Sequence, residues 1–254
     1  MKKTLLAVTL TLLSGASFAT DNGLEQYGLT LTGNVGLMSD YRFRGQSQTE
    51  NDPALQGSFT LAHHSGFYFS TFASNVNFSD DVHLELDPSV GFSTPVHLGT
   101  LTPLVDVGLA YYNYPSASDY NYLEAYAKLS FADTFTKGDD LTPSMYYSNE
   151  YGGKAGRVDG NKVNNWNFNL QYSLPIAETG FGALASVGYS KASESVYGND
   201  DNFVDWKVGA TYDVKAVQGL TAELDVVGTN IDGYTGKANR AVDTGAVFSL
   251  TKAF

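Results

Sequence analysis

Apolar and polar residues alternate along residues 29–45, which read LTLTGNVGLMSDYRFRG. Most odd positions carry apolar side chains, whereas even positions carry polar or charged ones, including Asp40, Arg42 and Arg44. This period of two predicts a β-strand with one apolar face and one polar face. Strands of ordinary globular domains are about five or six residues long. The segment therefore predicts one long strand that crosses something thicker than a usual protein core.

The same period recurs along the rest of the chain. Around Trp166 the alternation is clearest, because apolar side chains alternate with Asn and Gln, and it is weakest at 141–149. Together with 29–45, the segments predict twelve strands, an even number. The other eleven are 54–63, 67–78, 82–92, 101–113, 120–131, 141–149, 165–172, 181–191, 202–214, 220–230 and 241–254.

The predicted connections fall into two alternating kinds. Loops rich in Gly, Asn and Asp lie at 45–53, 79–81, 114–119, 150–164, 192–201 and 231–240. The intervening links, mostly shorter, lie at 64–66, 93–100, 132–140, 175–180 and 215–219. This alternation indicates that the two ends of the predicted sheet meet different environments. With no linker or low-complexity tract between the segments, the chain is predicted to form one domain.

The amino terminus has the features of a secretory signal. Lys2 and Lys3 precede the apolar run 5–13 and a small-residue site ending at Ala19, which predicts a Sec signal peptide of residues 1–19 and a mature chain of residues 20–254. Removing the two lysines changes the formal charge from −12 to −14, so a nucleic-acid partner is not expected. The absence of cysteine excludes disulfides and thiol chemistry, and no apolar run is long enough for a membrane helix.

These patterns predict an all-β fold, a closed antiparallel transmembrane β-barrel of about twelve strands in an up-and-down meander. In hydrocarbon every backbone polar group must be paired within the protein, so a membrane sheet has to close on itself. Aromatic residues near strand ends fit interfacial girdles, and the chain ends at Phe254, as expected of a strand recognised by the outer-membrane assembly machinery. The alternative is a secreted soluble sandwich or barrel with its apolar face inside. The aromatic residues are Phe67, Phe69, Tyr111, Tyr112, Tyr114, Tyr120, Tyr122 and Phe254.

Several blocks resemble one family. The blocks are GNVGLMSDYRFRGQSQTENDPALQGSF at 33–59, SGFYFSTFASNVNF at 65–78, HLELDPSVGF at 83–92, GLAYYNYP at 108–115 and FSLTKAF at 248–254. They resemble the TorF-type porin family of proteobacterial outer-membrane proteins across nearly the whole mature chain. The resemblance implies an outer-membrane barrel in a Gram-negative bacterium, surrounded by outer-membrane lipid.

The polar face carries nine acidic and four basic residues, which predicts a lumen that prefers cations. The acids are Asp40, Glu85, Asp87, Asp106, Glu124, Asp205, Glu223, Asp225 and Asp243, and the bases are Arg42, Arg44, Lys128 and Lys207. The candidate pore-lining residues are Asp40, Arg42 and Arg44 near the outer mouth, with Glu85, Asp87, Glu124 and Lys128 close by. The predicted function is passive diffusion of small hydrophilic solutes or ions, with no cofactor, metal or catalytic residue.

Two other functions stay open at this point. The charges can instead form an ion-pair network that closes a structural barrel, whose loop 150–164 binds a surface partner. The triplet His63-His64-Ser65 raises the possibility of an outer-membrane hydrolase, but it lacks an evident orienting acid or Asn. His83, Glu85 and Asp87 share one strand face, where successive side chains are too far apart to chelate an ion without a neighbouring strand.

Overall fold

A computed structural model describes residues 23–78, 82–99 and 101–254. The predicted signal peptide, residues 1–19, and the predicted loop 79–81 lie outside the described residues. Within the described ranges, no helix combines the length and the apolar character needed to cross a membrane.

Twelve antiparallel strands form a closed barrel, as the alternation predicts. Two further strands, β2 (Arg42–Phe43) and β3 (Gln46–Ser47), form a small separate hairpin, and α1 covers Gly236–Val242. The barrel strands are β1 (Leu29–Met38), β4 (Ala54–His63), β5 (Phe67–Asn75), β6 (Leu84–Pro95), β7 (Leu104–Tyr112), β8 (Tyr122–Ala132), β9 (Asp140–Ser148), β10 (Asn165–Pro175), β11 (Phe181–Ala192), β12 (Asn202–Asp213), β13 (Leu220–Thr229) and β14 (Gly245–Ala253). Strand β9 confirms the weakest of the predicted strands.

Neighbouring strands pair in chain order, and the barrel closes where β1 meets β14. In that pairing Asn34 lies opposite Ala253, and the backbone groups of Gly33 and Phe254 exchange two hydrogen bonds of 2.9 Å. The last residue of the chain therefore completes the hydrogen-bond ladder, so the barrel has no free strand edge.

The connections alternate between the two ends of the barrel. One end, the long-loop end, carries residues 39–53, 76–78, 82–83, 113–121, 149–164, 193–201 and 230–244. The other, the short-turn end, carries 64–66, 96–99, 101–103, 133–139, 176–180 and 214–219 together with both ends of the described chain. The predicted alternation of loops is confirmed.

The barrel wall has an apolar outer face and a polar inner face. In β6, Leu84 and Leu86 are exposed, while Glu85 and Asp87, which alternate with them, are buried. On β12 the outward Val208 is 58% exposed. A water-soluble barrel buries its apolar face and solvates its polar face, so the arrangement here is the reverse.

The prediction of one continuous strand over 29–45 is wrong. Strand β1 ends at Met38, and the chain then turns into the β2–β3 hairpin. Asp40 fixes the turn by accepting hydrogen bonds from the hydroxyls of Ser47 and Thr49 at 2.6 and 3.0 Å. The alternation continues past Met38 because β2 is also extended, so periodicity alone does not reveal the break.

The last strand is also shorter than the predicted 241–254. Helix α1 includes residues 241 and 242, and β14 begins at Gly245. Asp243, predicted to face the lumen, is instead an exposed residue that follows α1.

Candidate functional site in the barrel lumen

The segment 39–53, called here the inner hairpin, folds into the barrel and crosses it. It leaves the wall between β1 and β4, yet Nη2 of Arg44 donates hydrogen bonds to both carboxylate oxygens of Glu124 on β8, each 2.9 Å long. Passing around the wall from β1, one meets β4, β5, β6 and β7 before β8. Because these strands lie nearly opposite each other, the ion pair spans the lumen.

Arg42 holds the base of the inner hairpin. Its Nε forms an ion pair with Asp40. Its Nη1 donates to the backbone oxygens of Gly45, Ala241 and Asp243 at 3.0, 3.1 and 3.0 Å. One guanidinium thus ties the hairpin to itself, to the last turn of α1 and to the residue that follows this helix.

Aromatic contacts pack the inner hairpin against β5 and β7. The ring centroids of Tyr41 and Phe72 are 5.8 Å apart, and those of Phe43 and Tyr112 are 5.5 Å apart in an edge-to-face arrangement. The Cζ atom of Arg44 lies 4.7 Å from the centroid of Phe43. Such ring pairs contribute about 0.5–1.5 kcal/mol each beyond the area they bury, so the hairpin is held by packing as well as by charge.

Arg44 and Gly45 form the tip of the inner hairpin with φ angles of 50° and 77°. Positive φ at both central residues is the requirement of a type I′ turn, where Asn and Gly are favoured. An added Cβ at Gly45 would lie 2.5 Å from Cγ2 of Thr229 and 2.9 Å from the carbonyl oxygen of Gly228. Glycine is therefore needed for the close approach to β13. Arginine at the preceding position is disfavoured by its backbone by about 1–2 kcal/mol, and this conformation is the one in which Arg44 pairs with Glu124.

The inner hairpin separates two cavities, and Phe43 lines both. The vestibule, toward the long-loop end, has a volume of about 610 Å³ and is lined by Gln46, Tyr114, Tyr122, Tyr151 and Tyr234 among others. The inner cavity, on the other side, has a volume of about 290 Å³. Its charged and amide residues include Arg44, Asp87, Gln171, Asp205, Lys207 and Asp225.

The predicted pore-lining residues lie inside the barrel, but in three different surroundings. Asp40, Arg42 and Arg44 are on the inner hairpin and not on the wall, because the chain leaves the wall after Met38. Glu124 is the wall residue that meets them, through Arg44.

The other predicted residues lie on β6 and β8 of the wall. Glu85 accepts a hydrogen bond of 3.0 Å from the hydroxyl of Tyr114. Asp87 accepts one of 3.0 Å from the backbone N–H of Asn113. Lys128 has its Nζ 4.9 Å from the ring centroid of Tyr126. Placement in the lumen is thus observed, while a role in lining a conduction path stays a prediction.

Inward-facing tyrosines are the part of the site that the sequence interpretation missed. Tyr112, Tyr114 and Tyr122 are buried inside and do not form an interfacial girdle. Tyr112 and Tyr122 stack with centroids 4.5 Å apart, and the hydroxyl of Tyr112 donates to Glu124 at 3.1 Å. The odd or even position of each tyrosine along its strand could have shown this in the sequence. Tyr122 shares the strand face of Glu124, whereas Tyr111 shares the apolar face and is exposed.

A second ion-pair cluster lies on the wall of β12 and β13. Nζ of Lys207 is 3.1 Å from Oε1 of Glu223 and 3.5 Å from Oδ2 of Asp225. All three residues were predicted to face inward, and they do. Three of the four predicted lumen bases, Arg42, Arg44 and Lys207, are therefore in ion pairs with lumen acids.

The loop 149–164 is fastened at the long-loop end. Tyr151 packs its ring 5.3 Å from that of Tyr122. Glu150 accepts hydrogen bonds from Lys162 and Arg157, and these lower the pKa of its carboxyl group. These contacts give the loop a defined conformation over the vestibule.

No metal centre is apparent in the ranges 23–78, 82–99 and 101–254, where no group of three or more His, Asp and Glu side chains is arranged to hold an ion. His63 and Ser65 do approach each other, with Nδ1 and Oγ 2.7 Å apart. This pair is exposed in the turn between β4 and β5 at the short-turn end, on the opposite side of the barrel from the long loops.

Comparison with known proteins gives a family and a fold. Residues 24–254 match the sequence profile of a family described as "Bacterial protein of unknown function (Gcw_chp)". No curated protein sequence matches the chain. The name TorF-type given by resemblance stays a prediction.

Among solved structures, the chain is similar to the NanC porin, with a TM-score of 0.56, 12% identity, and coverage of 88% of this chain and 98% of that one. It is also similar to the KdgM porin, with a TM-score of 0.53, 10% identity, and coverage of 88% and 99%. At these identities the likeness shows the barrel fold.

Proposed function

Because the chain belongs to the Gcw_chp family of bacterial proteins, whose function is unknown, we propose its function from the barrel: an outer-membrane channel for passive diffusion of small hydrophilic solutes or ions. The observation that carries this proposal is the reversed barrel wall. Leu37 and Leu55 are 60% and 56% exposed on the outside, whereas Glu124 is fully buried inside. Exposed apolar surface of this extent is stable in lipid and not in water.

The proposed location is the outer membrane of a Gram-negative bacterium, reached through the signal peptide of residues 1–19. The barrel strands have nine to twelve residues, and a strand tilted by about 45° needs roughly nine to eleven to cross the hydrocarbon. Outer-membrane barrels carry short periplasmic turns and longer outer loops, so the long-loop end faces outward. The assembly machinery recognises β14 and its terminal Phe254, and outer-membrane lipid contacts the apolar wall.

The channel is proposed to prefer cations. Eight of the nine predicted lumen acids are buried inside, Asp243 being the exception. These eight acids outnumber the four lumen bases Arg42, Arg44, Lys128 and Lys207, so the lining has an excess of acidic side chains. A lumen with excess carboxylates attracts cations and repels anions. The proposed path runs past the inner hairpin, and the candidate residues along it are Asp40, Arg42, Arg44, Glu85, Asp87, Glu124 and Lys128.

A closed barrel with a structural or surface-binding role is the second candidate. The observation in its favour is the inner hairpin, whose ion pair with Glu124 spans the lumen. In that case loop 149–164 offers the binding surface. The exposed His63–Ser65 pair carries no hydrolase proposal, and no cofactor or catalytic residue is assigned.

The test is single-channel recording of the purified protein in a planar lipid bilayer with a KCl gradient. The channel proposal expects discrete current steps and a reversal potential on the cation-selective side. The absence of steps at every salt concentration and voltage would overturn it in favour of the closed barrel. Current steps with anion preference would overturn only the proposed cation preference and would leave the channel proposal standing. Unboiled and boiled samples should migrate differently on SDS gels, which checks that the barrel is folded.

A further inference from the structure

Polar atoms without partners concentrate around the inner cavity. Seven buried side-chain polar atoms of the described residues make no hydrogen bond of ordinary geometry, and four of them belong to residues that line this cavity. They are Nη1 of Arg44, Nε2 of Gln171, Oδ2 of Asp205 and Oδ1 of Asp225. Buried polar groups are nearly always paired, so a group of exceptions around one cavity calls for an explanation.

The four atoms comprise two donors and two acceptors. Arg44 and Gln171 supply N–H groups suited to a carboxylate, and Asp205 and Asp225 supply carboxylate oxygens suited to an ammonium group. Each of the four side chains is at least about nine-tenths buried, with Asp205 and Asp225 each 6% exposed and the Arg44 side chain 8% exposed. The charge of Arg44 is already met by Glu124, but its Nη1 has no acceptor, and no ion pair is found for Asp205 among the described residues. A charge withdrawn from water to this degree is costly unless something pairs with it.

Arg44 and Asp205 carry opposite charges beside the same cavity, yet they do not form an ion pair. None is found between them at a nitrogen–oxygen distance of 4.0 Å or less, although the structure describes both residues. The hairpin nevertheless passes close to Asp205. A Cβ added at Gly45, the residue after Arg44, would lie 3.1 Å from the Cβ of Asp205. The two charged groups are therefore neighbours whose ends are held apart.

Each group has an anchor that prevents it from reaching the other. Arg44 is drawn toward β8 by both oxygens of Glu124. The carboxylate of Asp205 lies over Gly188 of β11, where an added Cβ would be 2.3 Å from Oδ2. The glycine leaves the space that the carboxylate occupies, so the separation of the two charges is built into the fold.

We propose that the inner cavity binds a small zwitterion, with its carboxylate on Arg44 and its ammonium group on Asp205. This inference rests on the channel function proposed above and names the solute class for it. A solute carrying only a cation would leave the donors of Arg44 and Gln171 unpaired, and one carrying only an anion would leave Asp205 unpaired. The cavity, of about 290 Å³, lies at the small end of ligand sites, which fits a short amino acid.

The remaining charged residues of the cavity already have partners. Asp40 pairs with Arg42, Lys207 lies between Glu223 and Asp225, and Asp87 accepts from a backbone N–H. Asp225 is therefore partly neutralised by Lys207, which leaves Asp205 as the main ammonium site.

The test is isothermal titration calorimetry on the full-length protein in detergent with three matched probes. 4-Aminobutyrate carries both charges, butyrate carries the carboxylate alone, and n-butylammonium carries the ammonium group alone. Because hydrogen bonds to charged groups are strong when desolvated, we expect 4-aminobutyrate to bind at least about tenfold more tightly than either analogue. Equal weak binding of all three would overturn the proposal, since the cavity would then hold water only.

Variants assign the two ends. Asp205→Asn should reduce the affinity for 4-aminobutyrate to that for butyrate. The double variant Arg44→Gln, Glu124→Gln, which leaves no unpaired buried charge, should reduce it to that for n-butylammonium. Asp106→Asn is the matched control, because Asp106 is a buried lumen acid outside this cavity that accepts from Tyr68 at 2.7 Å. It should keep the preference for 4-aminobutyrate. Loss of the preference in the control but not in Asp205→Asn would overturn the site. The wild-type comparison needs no variant and decides the matter if one fails to fold.

Calorimetry and bilayer recording separate this proposal from the channel function. Current steps in KCl without binding of 4-aminobutyrate would overturn the zwitterion site and leave the channel standing. Binding of 4-aminobutyrate with the tenfold preference, but without current steps, would support the site and overturn the channel.

Discussion

The ion pair between Arg44 and Glu124 is the contact on which docking of the inner hairpin should depend most. Glu124 is fully buried, the Arg44 side chain is 8% exposed, and two hydrogen bonds of 2.9 Å join them. Removing one member of a buried pair costs about 3–5 kcal/mol, because it leaves the other charge uncompensated. Glu124→Gln keeps the size of the side chain and one acceptor, so we take the lower end, about 3 kcal/mol.

That loss should act on the hairpin before it acts on the barrel. The wall is held by its own hydrogen-bond ladder, whereas the inner hairpin crosses the lumen on a few contacts. Since about 1.4 kcal/mol is a factor of ten, a cost of 3 kcal/mol shifts the equilibrium between docked and released hairpin more than a hundredfold toward release. Strain at Arg44, whose φ is 50°, acts in the same direction.

The assay is unitary conductance in a planar bilayer, combined with the temperature at which the unboiled gel form is lost. Glu124→Gln should show a larger or noisier conductance than the wild type. The double variant Arg44→Gln, Glu124→Gln should be less destabilised than the sum of the single variants, because it leaves no unpaired charge. Asp201→Asn breaks a pair with Lys191 whose side chains are 37% and 47% exposed, and it should change neither quantity. An unaltered conductance in Glu124→Gln, or additive effects of the two substitutions, would refute the reasoning.

Three further outcomes are expected. Gly45→Ala should displace the hairpin and change the conductance, because the added carbon would lie 2.5 Å from a methyl carbon of β13. Gly160→Ala is the control for backbone strain, because Gly160 has a φ of 78° and open space around it. This control should leave the conductance unchanged. At the short-turn end, burial tends to raise the pKa of Asp139, but hydrogen bonds from the Tyr172 hydroxyl and three backbone N–H groups prevail and lower this pKa. Its ionised form therefore stabilises the fold above about pH 4, and this stabilisation is lost progressively as the pH falls from there through the lowered pKa. The gel transition temperature of the wild type should thus fall more than that of Asp139→Asn on acidification from about pH 5 to about pH 3; parallel curves would contradict this. Removal of Phe254 should lower the yield of folded barrel in the outer membrane, measured by the unboiled gel form, and an unchanged yield would rule out its role in assembly.

The amino-acid sequence by itself determined the barrel and the faces of its strands. Side chains alternate with a period of two along every strand, so Glu85 and Glu124 could be assigned to the polar face without coordinates. The even number of strands and the alternation of loops followed from the same pattern. For Tyr112 the parity gave the correct face as well, although its place near a strand end had favoured a girdle.

Only the tertiary structure decided what fills the lumen. The alternation of 29–45 continues through Met38 into β2, because a strand and a folded-in hairpin are both extended and have the same period. The turn depends on contacts of Asp40 with hydroxyls several residues away, and the ion pair of Arg44 joins residues 80 positions apart in the chain. Periodicity reports which face a side chain occupies, but not which distant side chain lies across the lumen from it. The pairing with Glu124 and the unpaired approach to Asp205 therefore appear only when the barrel closes.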